Sequence, residues 1–548
     1  MTTVLTTVAQ TVATALAACG DHVFALMGNG NAHVLDALAR ADVPVTAVRH
    51  EAATVASADA YHRVTGRLAV ATTTYGAGFT NTVTALAEAT LAGTPLLLLV
   101  GDAPTSGPRA FDIDQSAVVH ATGAHLVVLD AAAPGRAVVA AAAHAVAHRV
   151  PVVIALPYDL ATAPVADATV PAPAATSPLG VDGSALDTLA AQLAEAKRPL
   201  VLAGRGARGH AEAVGRLADR LGALTATTAP ARGLFDGRPY DLGVCGGFAA
   251  PQAAALIHEA DVVLVLGAGL NQFTTKECTA FGPDAVVVQV DLRPEPTSAL
   301  VTRAVRGDVG VVLAGLLDRL GGRVPLQPWS GAAEAARDGD LHLRRERGDD
   351  VAPDGRLDPR AVFARLEELL PSRRQVVSDG GHFLGWANTY LSAHEPDSVV
   401  LVGTAFQSIG LGLPSAPGAL VARPDITTLI VLGDGGGLMG IADLETVVRC
   451  ATSALVLVVN DAVYGAEVHQ YGSLGLDQTV MRVGEVDFAA VGRALGAQGV
   501  VVERLADLDA VERWLADGAR GTFVADVRVS PDIVAPYMWD QVAAAARG

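Results

Sequence analysis

An α/β architecture of three doubly wound parallel-sheet domains is what this sequence predicts, and three observations carry the prediction. Short β-branched or leucine-rich runs alternate with stretches of helical periodicity in three successive blocks, the pattern of parallel sheets covered on both faces. Two stretches rich in proline or charge, Thr162–Gly180 and Pro325–Arg360, separate the blocks and read as linkers. At 548 residues the chain is too long for one ordinary core, so domains at 1–165, 181–325 and 358–540 are the natural division.

Composition narrows the function classes. The chain is 51% hydrophobic with 57 glycines and only 4% aromatics, a globular, alanine-rich make-up. A formal charge of −18 argues against a nucleic-acid surface. No apolar run approaches the roughly 18 to 20 residues needed to span a bilayer, so no membrane partner is expected. The opening MTTVLTTVAQTVATALAACG lacks a basic leader and reads as an amphipathic first helix rather than a signal peptide, which makes the expected location cytoplasmic. Cys19, Cys245, Cys278 and Cys450 show no metal or disulfide spacing and read as core thiols in a reducing compartment.

In the first block, strands are expected at Val23–Met27, Val45–Val48, Leu68–Thr72, Leu96–Val100 and Val152–Leu156. The M-G-N-G-N loop after the first strand holds Asn29, which suits either a substrate-facing amide or a turn between glycines. Glu51 stands where the second strand gives way to a helix, a place where a carboxylate complements the helix dipole. Beyond it come Gly66-Arg67, the run Thr74–Gly78 with Gly76 at its centre, Asn81, and RAFDIDQSAVVH at 109–120, which contains Phe111, Asp112 and Gln115. In the second block, Gly204, Gly206 and Gly209 match G-x-G-x-x-G, but no acidic residue follows about 20 positions on. A plain strand-to-helix turn is the preferred reading, and FAD is not expected.

The third block contains the most informative stretch, Thr427 to Tyr471. An apolar strand at Thr427–Leu432 leads into Gly433-Asp434-Gly435-Gly436, a helical stretch at Ile441–Cys450, and a second strand at Ala454–Val459 that ends in Asn460-Asp461. A βαβ unit puts both strand ends on one edge of a parallel sheet, so Asp434 and Asp461 are expected side by side.

Gly435 and Asn460 are separated by 24 residues, and G-D-G, this spacer and N-D together resemble the signature of the thiamin diphosphate (ThDP) enzymes. The departure is Asp461, where that family usually has asparagine. The resemblance implies that Asp434, Asp461 and the carbonyl of Val463 hold Mg²⁺, with Gly433, Gly435, Gly436 and Tyr464 around the cofactor diphosphate. RHEAA at Glu51, Gly66-Arg67, T-Y-G-A-G and Asn81 fall at the spacing of acetolactate synthases. By that likeness Glu51 hydrogen-bonds N1′ of the aminopyrimidine, and Gly76 and Asn81 lie beside the cofactor. In GTAFQSIGLGLPSAPGA, 403–419, Ile409 takes the position of the apolar wedge that bends the cofactor; Gly410, Leu413 and Pro414 match as well.

The likeness to the acetolactate-synthase and pyruvate-decarboxylase branch covers nearly the whole chain. It implies pyrimidine-binding, middle and diphosphate-binding domains, and a homodimer or homotetramer in which one subunit's pyrimidine wing faces another's diphosphate wing. Substrate residues are less well specified. Glu467 resembles a glutamate that handles a proton in 2-oxo acid decarboxylases, while its plain reading is an exposed helix residue. His469 and Gln470 fall at positions that shape the synthase pocket. Phe111 fits the synthase phenylalanine, Asp112 replaces a glutamine, and Gln115 stands one helical turn on. The expected function is ThDP- and Mg²⁺-dependent decarboxylation of a 2-oxo acid, with the remaining acyl fragment joined to a second carbonyl. The alternatives are a decarboxylase releasing an aldehyde, a flavin-dependent oxidase, and a cofactor-binding subunit without turnover.

Overall fold

A computed structural model describes residues 6–174, 177–322, 329 and 346–545. Among the described residues, three six-stranded sheets follow one another along the chain, every strand pair parallel. The first comprises β1 (Val23–Ala25), β2 (Val45–Ala47), β3 (Val70–Thr73), β4 (Leu97–Asp102), β5 (His125–Val128) and β6 (Val152–Pro157), in the order β2-β1-β3-β4-β6-β5. The second comprises β7 (Pro199–Ala203), β8 (Leu224–Thr227), β9 (Asp241–Val244), β10 (Val262–Leu266), β11 (Val286–Asp291) and β12 (Arg303–Arg306), in the order β12-β11-β10-β7-β8-β9. The third comprises β13 (Arg374–Ser378), β14 (Val399–Leu401), β15 (Thr427–Gly433), β16 (Ser453–Asn460), β17 (Gln498–Val502) and β18 (Gly521–Arg528), in the order β14-β13-β15-β16-β18-β17. The outer sheets thus repeat one topology, whereas the middle one follows the dinucleotide-fold order.

Central strands such as β4, β10 and β15 are buried along almost their whole length, as continuous Val/Leu/Ile runs require when helices cover both faces. The edge strand β5 is only partly covered, and its mixed His-Leu-Val-Val composition gives no strong sequence signal. The amphipathic first helix forms at Val8–Cys19. Thr7 and Gln10 close a reciprocal capping box at its start, which satisfies two otherwise orphaned N–H groups. The expected helix at Ile441–Cys450 opens as a 3₁₀ turn, Ile441–Asp443, and continues as helix Leu444–Cys450; a further short helix, Asp434–Met439, starts at the G-D-G turn itself.

The outer sheets meet through the helices Glu51–Thr65 and Gly412–Ala422. These pack so closely that a Cβ on Gly418 would stand 1.9 Å from the Ser57 carbonyl oxygen, and the Ser57 hydroxyl donates to the Pro414 carbonyl at 2.7 Å. Beside them Arg63 pairs with Asp59 at 2.6 Å and Glu88 at 2.9 Å, all buried. The second oxygen of Glu88 accepts the Phe406 N–H at 2.7 Å, which ties the first domain to the loop that carries Ile409. Removing one member of such a buried cluster costs about 3–5 kcal/mol.

Gly204 and Gly206 serve close packing. A Cβ on either would meet the Gly267-Ala268 turn at 2.4–2.9 Å, whereas Gly209 faces open space. Of the two expected linkers, Ala175 and Thr176 in the first, and 325–328 and 330–345 in the second, lie outside the described residues. The described part of the second is tethered: Leu357 is fully buried and bridges to Val529 beside the third sheet.

Candidate active site

The site is built at the C-terminal edge of the third sheet, between β13 and β15, where the chain's path along the sheet reverses. Open α/β sheets bind ligands at such a point. The cleft is lined by Gly380–Phe383 after β13, Ile409, Gly433–Gly436 after β15, Val459 and Asp461 at the end of β16, and the run Val463–Glu467. β15 and β16 pair in register, Gly433 opposite Val459, and so the G-D-G and N-D turns emerge together.

Asp434 and Asp461 are the electrostatic centre of this cleft. Burial first, and the Asp461 charge second, push the Asp434 carboxyl up to about 7. Burial pushes that of Asp461 up to about 6. Oδ2 of Asp434 is buried without a hydrogen-bond partner. Two like-charged, desolvated carboxylates with an orphaned oxygen are unfavourable as they stand and fit a hard divalent cation between them. Ala462, between Asp461 and Val463, adopts φ 62°. That left-handed turn at a non-glycine residue is a local cost of order 1–3 kcal/mol, and it swings Val463 onto the cleft wall.

The glycines here are needed for space. A Cβ on Gly435 would stand 2.4 Å from the Tyr464 ring, and one on Gly436 would stand 2.5 Å from Oδ2 of Asp379. Asp379, which sequence reasoning missed, is the anchor of the Ile409 loop: its carboxylate accepts the Gly410 N–H at 2.9 Å and the Gly380 N–H at 2.8 Å. Burial pushes that carboxyl up to about 6.

His382 was also missed. Its Nε2 accepts the Ala535 N–H at 2.7 Å, and burial, then the nearby His469, lowers its pKa to about 3. The ring is therefore neutral with its proton on Nδ1, and Nδ1 lies 3.2 Å from where a Cβ on Gly465 would stand. Tyr537 donates to the carbonyls of Gly381 at 3.0 Å and His382 at 3.3 Å, so the helix Pro536–Ala545 holds this wall of the cleft. The available signal was D-G-G-H directly after the buried strand Arg374–Ser378.

The remaining expected residues are distributed unevenly. Glu467 lines the cleft while remaining exposed, at its mouth. His469 packs behind the wall, its ring 4.6 Å from that of His382, and Gln470 lies further along the helix Gly465–Tyr471, outside the lining. Glu51, Gly76, Asn81, Asn29, Phe111, Asp112 and Gln115 all belong to the edge of the first sheet, and none lines the cleft of its own chain.

On that edge Asn81 donates to Glu51 at 2.9 Å. Gln115 is buried; it accepts the Gly76 N–H at 2.7 Å and donates to the Gly101 carbonyl at 2.9 Å. It therefore works as a scaffold for the Gly76 turn. Asp112 is engaged by Arg109, at 2.8 and 2.9 Å, and the guanidinium stacks on Tyr75, so this carboxylate is not free to meet a substrate. Asn29 is exposed. The structural amide of its loop is Asn31, which donates to Leu26 and Thr72 and accepts from Gly28.

Family models for the thiamine pyrophosphate enzyme N-terminal TPP binding domain, central domain and C-terminal TPP binding domain match residues 6–121, 186–316 and 379–527. A probable 2-ketoarginine decarboxylase of Pseudomonas aeruginosa is 30% identical over 91% of this chain and 89% of its own. A sulfoacetaldehyde acetyltransferase of Rhodobacter capsulatus is 29% identical over 95% and 93%. The acetolactate synthase isozyme 2 large subunit of Escherichia coli is 27% identical over 92% of each chain. Three matched domains in the expected order, and full-length likeness to enzymes of this kind, agree with the cleft at the third sheet: the chain belongs to the thiamin diphosphate-dependent enzymes.

Proposed function

We propose that this enzyme decarboxylates a 2-oxo acid and joins the remaining acyl fragment to a second carbonyl, with ThDP and Mg²⁺ as cofactors. The observation that carries the cofactor part is the facing pair Asp434 and Asp461, with its orphaned buried oxygen, beneath a glycine cradle. In this reading Asp434, Asp461 and the Val463 carbonyl hold Mg²⁺, and Gly433, Gly435, Gly436 and Tyr464 surround the diphosphate. Bound there, ThDP supplies the electron sink for breaking the bond to the carboxylate. The chain's own work is orientation, water exclusion and proton handling. Ile409, on the loop pinned by Asp379, sets the cofactor's bend from the cleft wall. Glu51 shares a proton with the pyrimidine nitrogen, positioned by Asn81.

Because Glu51 stands on the first sheet and the cleft on the third, the complete site takes both from facing copies of the chain, as a homodimer or homotetramer. Exposed apolar side chains on both edges support this: Phe111, Ile113 and Tyr158 on the first, Met439, Leu474, Leu476 and Val480 near the third.

Two of the three relatives described are named for synthesis or acetyl transfer and one for decarboxylation, which favours acyl transfer as the first reading. Glu467 at the cleft mouth supports a second reading, in which it returns a proton and the reaction ends at an aldehyde. Proton NMR of the purified enzyme with ThDP, Mg²⁺ and a panel of 2-oxo acids, pyruvate first, separates them. An acyloin or acetolactate-type product is expected; an aldehyde alone would replace transfer by simple decarboxylation.

A further inference from the structure

The cleft wall at Gly380–Phe383 is held from behind by a side chain that has no place in the lining itself. Tyr537 is buried, and its hydroxyl donates to the carbonyls of Gly381 and His382. The same carbonyls accept the Leu384 and Gly385 N–H groups at 3.1 and 3.4 Å, where the helix Leu384–Tyr390 begins. The ring occupies a slot made by glycines of two domains. A Cβ on Gly385 would stand 2.8 Å from the Tyr537 ring, and one on Gly247, in the middle domain, would stand 3.2 Å from the Tyr537 Cβ.

The middle domain closes the other side of that slot. Phe248 meets the Tyr537 ring edge-on at 5.2 Å and stacks on Phe273 at 6.3 Å, and Phe273 lies 6.2 Å from Tyr537. Aromatic rings attract in these arrangements. The turn that carries Phe248 presses on the backbone of Phe273, since a Cβ on Gly246 would stand 2.0 Å from the Phe273 carbonyl oxygen. Shortly after Phe273, the residues Lys276, Glu277 and Cys278 run consecutively in the left-handed region, at φ 49°, 52° and 65°. Such a run of non-glycine residues persists only where its surroundings over-determine it. Lys276 also reaches Asp540, on the helix Pro536–Ala545, at 3.7 Å.

We propose that the middle domain, through Phe248 and Phe273, fixes Tyr537 and thereby sets the Gly381–His382 wall of the cleft. Tyr537 is a positioning residue: it acts through the wall carbonyls. The consequence for ThDP affinity rests on the cofactor reading above, whereas the coupling itself does not. Asp434, Asp461 and Val463 stand on other turns, after β15 and β16, so a metal ion alone should be indifferent to the change.

The test compares full-length parent, Y537F, F273A and the double variant by three readouts. These are hydrogen exchange of the 381–386 amides without cofactor, calorimetry of ThDP at saturating Mg²⁺, and binding of Mn²⁺ alone, followed by the electron paramagnetic resonance of the free ion. Y537F is expected to speed exchange in that segment about tenfold, with the β4 amides unchanged, and to weaken ThDP about threefold to tenfold. F273A, in the middle domain, should move both readouts in the same direction by about twofold to fivefold. Mn²⁺ should stay within about twofold of the parent throughout. The double variant should lose little more than Y537F alone, because both side chains act through one contact. Should F273A not fold, F273L, which removes the ring contacts and keeps most of the bulk, gives the same reading. Parent-like exchange in the Phe273 variant, losses that multiply in full in the double variant, or equal weakening of Mn²⁺ would overturn the assignment. A parent protein that takes Mn²⁺ but no ThDP would overturn the cofactor reading, and the exchange readout would then decide the coupling alone.

Discussion

The first and third sheets share one strand order, yet the crevice at the point where the topology reverses is shut in one and open in the other. Between β1 and β3 the turns close on each other. A Cβ on Gly30 would stand 2.8 Å from the Gly101 Cα, and one on Gly28 would stand 2.7 Å from the Thr74 Cβ. Asn31 and Gln115 fill the remaining polar valences. Between β13 and β15 a cleft floored by two carboxylates remains, although Gly435 and Gly436 there pack just as closely against Tyr464 and Asp379. Glycine allows close packing in both sheets, and what lies beyond it differs: backbone and Thr74 in the first, the carboxylates of Asp434 and Asp461 in the third. In the proposed reading the third sheet keeps the binding chemistry, and the first contributes Glu51 from its edge.

The sharpest way to break this division of labour is Glu51→Gln. If the first sheet supplies only a proton-sharing group, turnover should fall about 10²- to 10⁴-fold, while ThDP binding measured by calorimetry stays near that of the parent. A matched loss of binding would mean that the first sheet holds the cofactor as well.

Next in size is Gly101→Ala, which inserts a methyl 2.6 Å from the Gly30 Cα. Overpacking the closed seam should destabilise the protein by about 1–3 kcal/mol, seen as a lowered midpoint in denaturant. An unchanged midpoint would show that the seam is not tight.

Gln115→Ala should cost about 1–3 kcal/mol through the groups it leaves unpaired. It should also lower turnover by loosening the Gly76 turn, with ThDP affinity unchanged; an intact turnover would separate this scaffold from the site.

Smallest is a pH effect confined to the third sheet. The carboxyls of Asp434 and Asp461 are raised above their ordinary range, to about 7 and about 6. Without metal, their contribution to stability is present below the unfolded-state values near 4 and is lost as pH rises through 6 to 7. Protons also compete with the cation, so metal affinity should fall as pH drops below about 7. The denaturant midpoint of the metal-free protein between pH 5 and 8 checks the first sign and titration of the metal over the same range checks the second, with D434N as the control in both.

Much of this organisation was legible in the sequence, and the failures have physical causes. Buried strands such as β4 and β15 announce themselves as apolar runs, and the 24-residue spacer between Gly435 and Asn460 fixes a βαβ unit that forces Asp434 and Asp461 together. The edge strand His125–Val128 gave no such signal, because an edge needs less apolar surface and its composition is mixed. Asn31 was passed over because sequence cannot say which amide of a turn faces inward. Asp112 and Gln115 looked available for substrate, but their partners Arg109, Gly76 and Gly101 are set by loop geometry. Asp379 and His382 were passed over for a related reason: their importance lies in what they touch across the fold, the Gly410 and Ala535 N–H groups.

Calorimetric titration of ThDP into the protein, with and without Mg²⁺, for the parent and D434A decides where the cofactor is held. Metal-dependent binding to the parent and a loss of at least about 100-fold in D434A are expected, since even residues behind a metal ligand are worth about 10- to 100-fold. Unchanged, metal-dependent ThDP binding in D434A would contradict this and place the cofactor elsewhere.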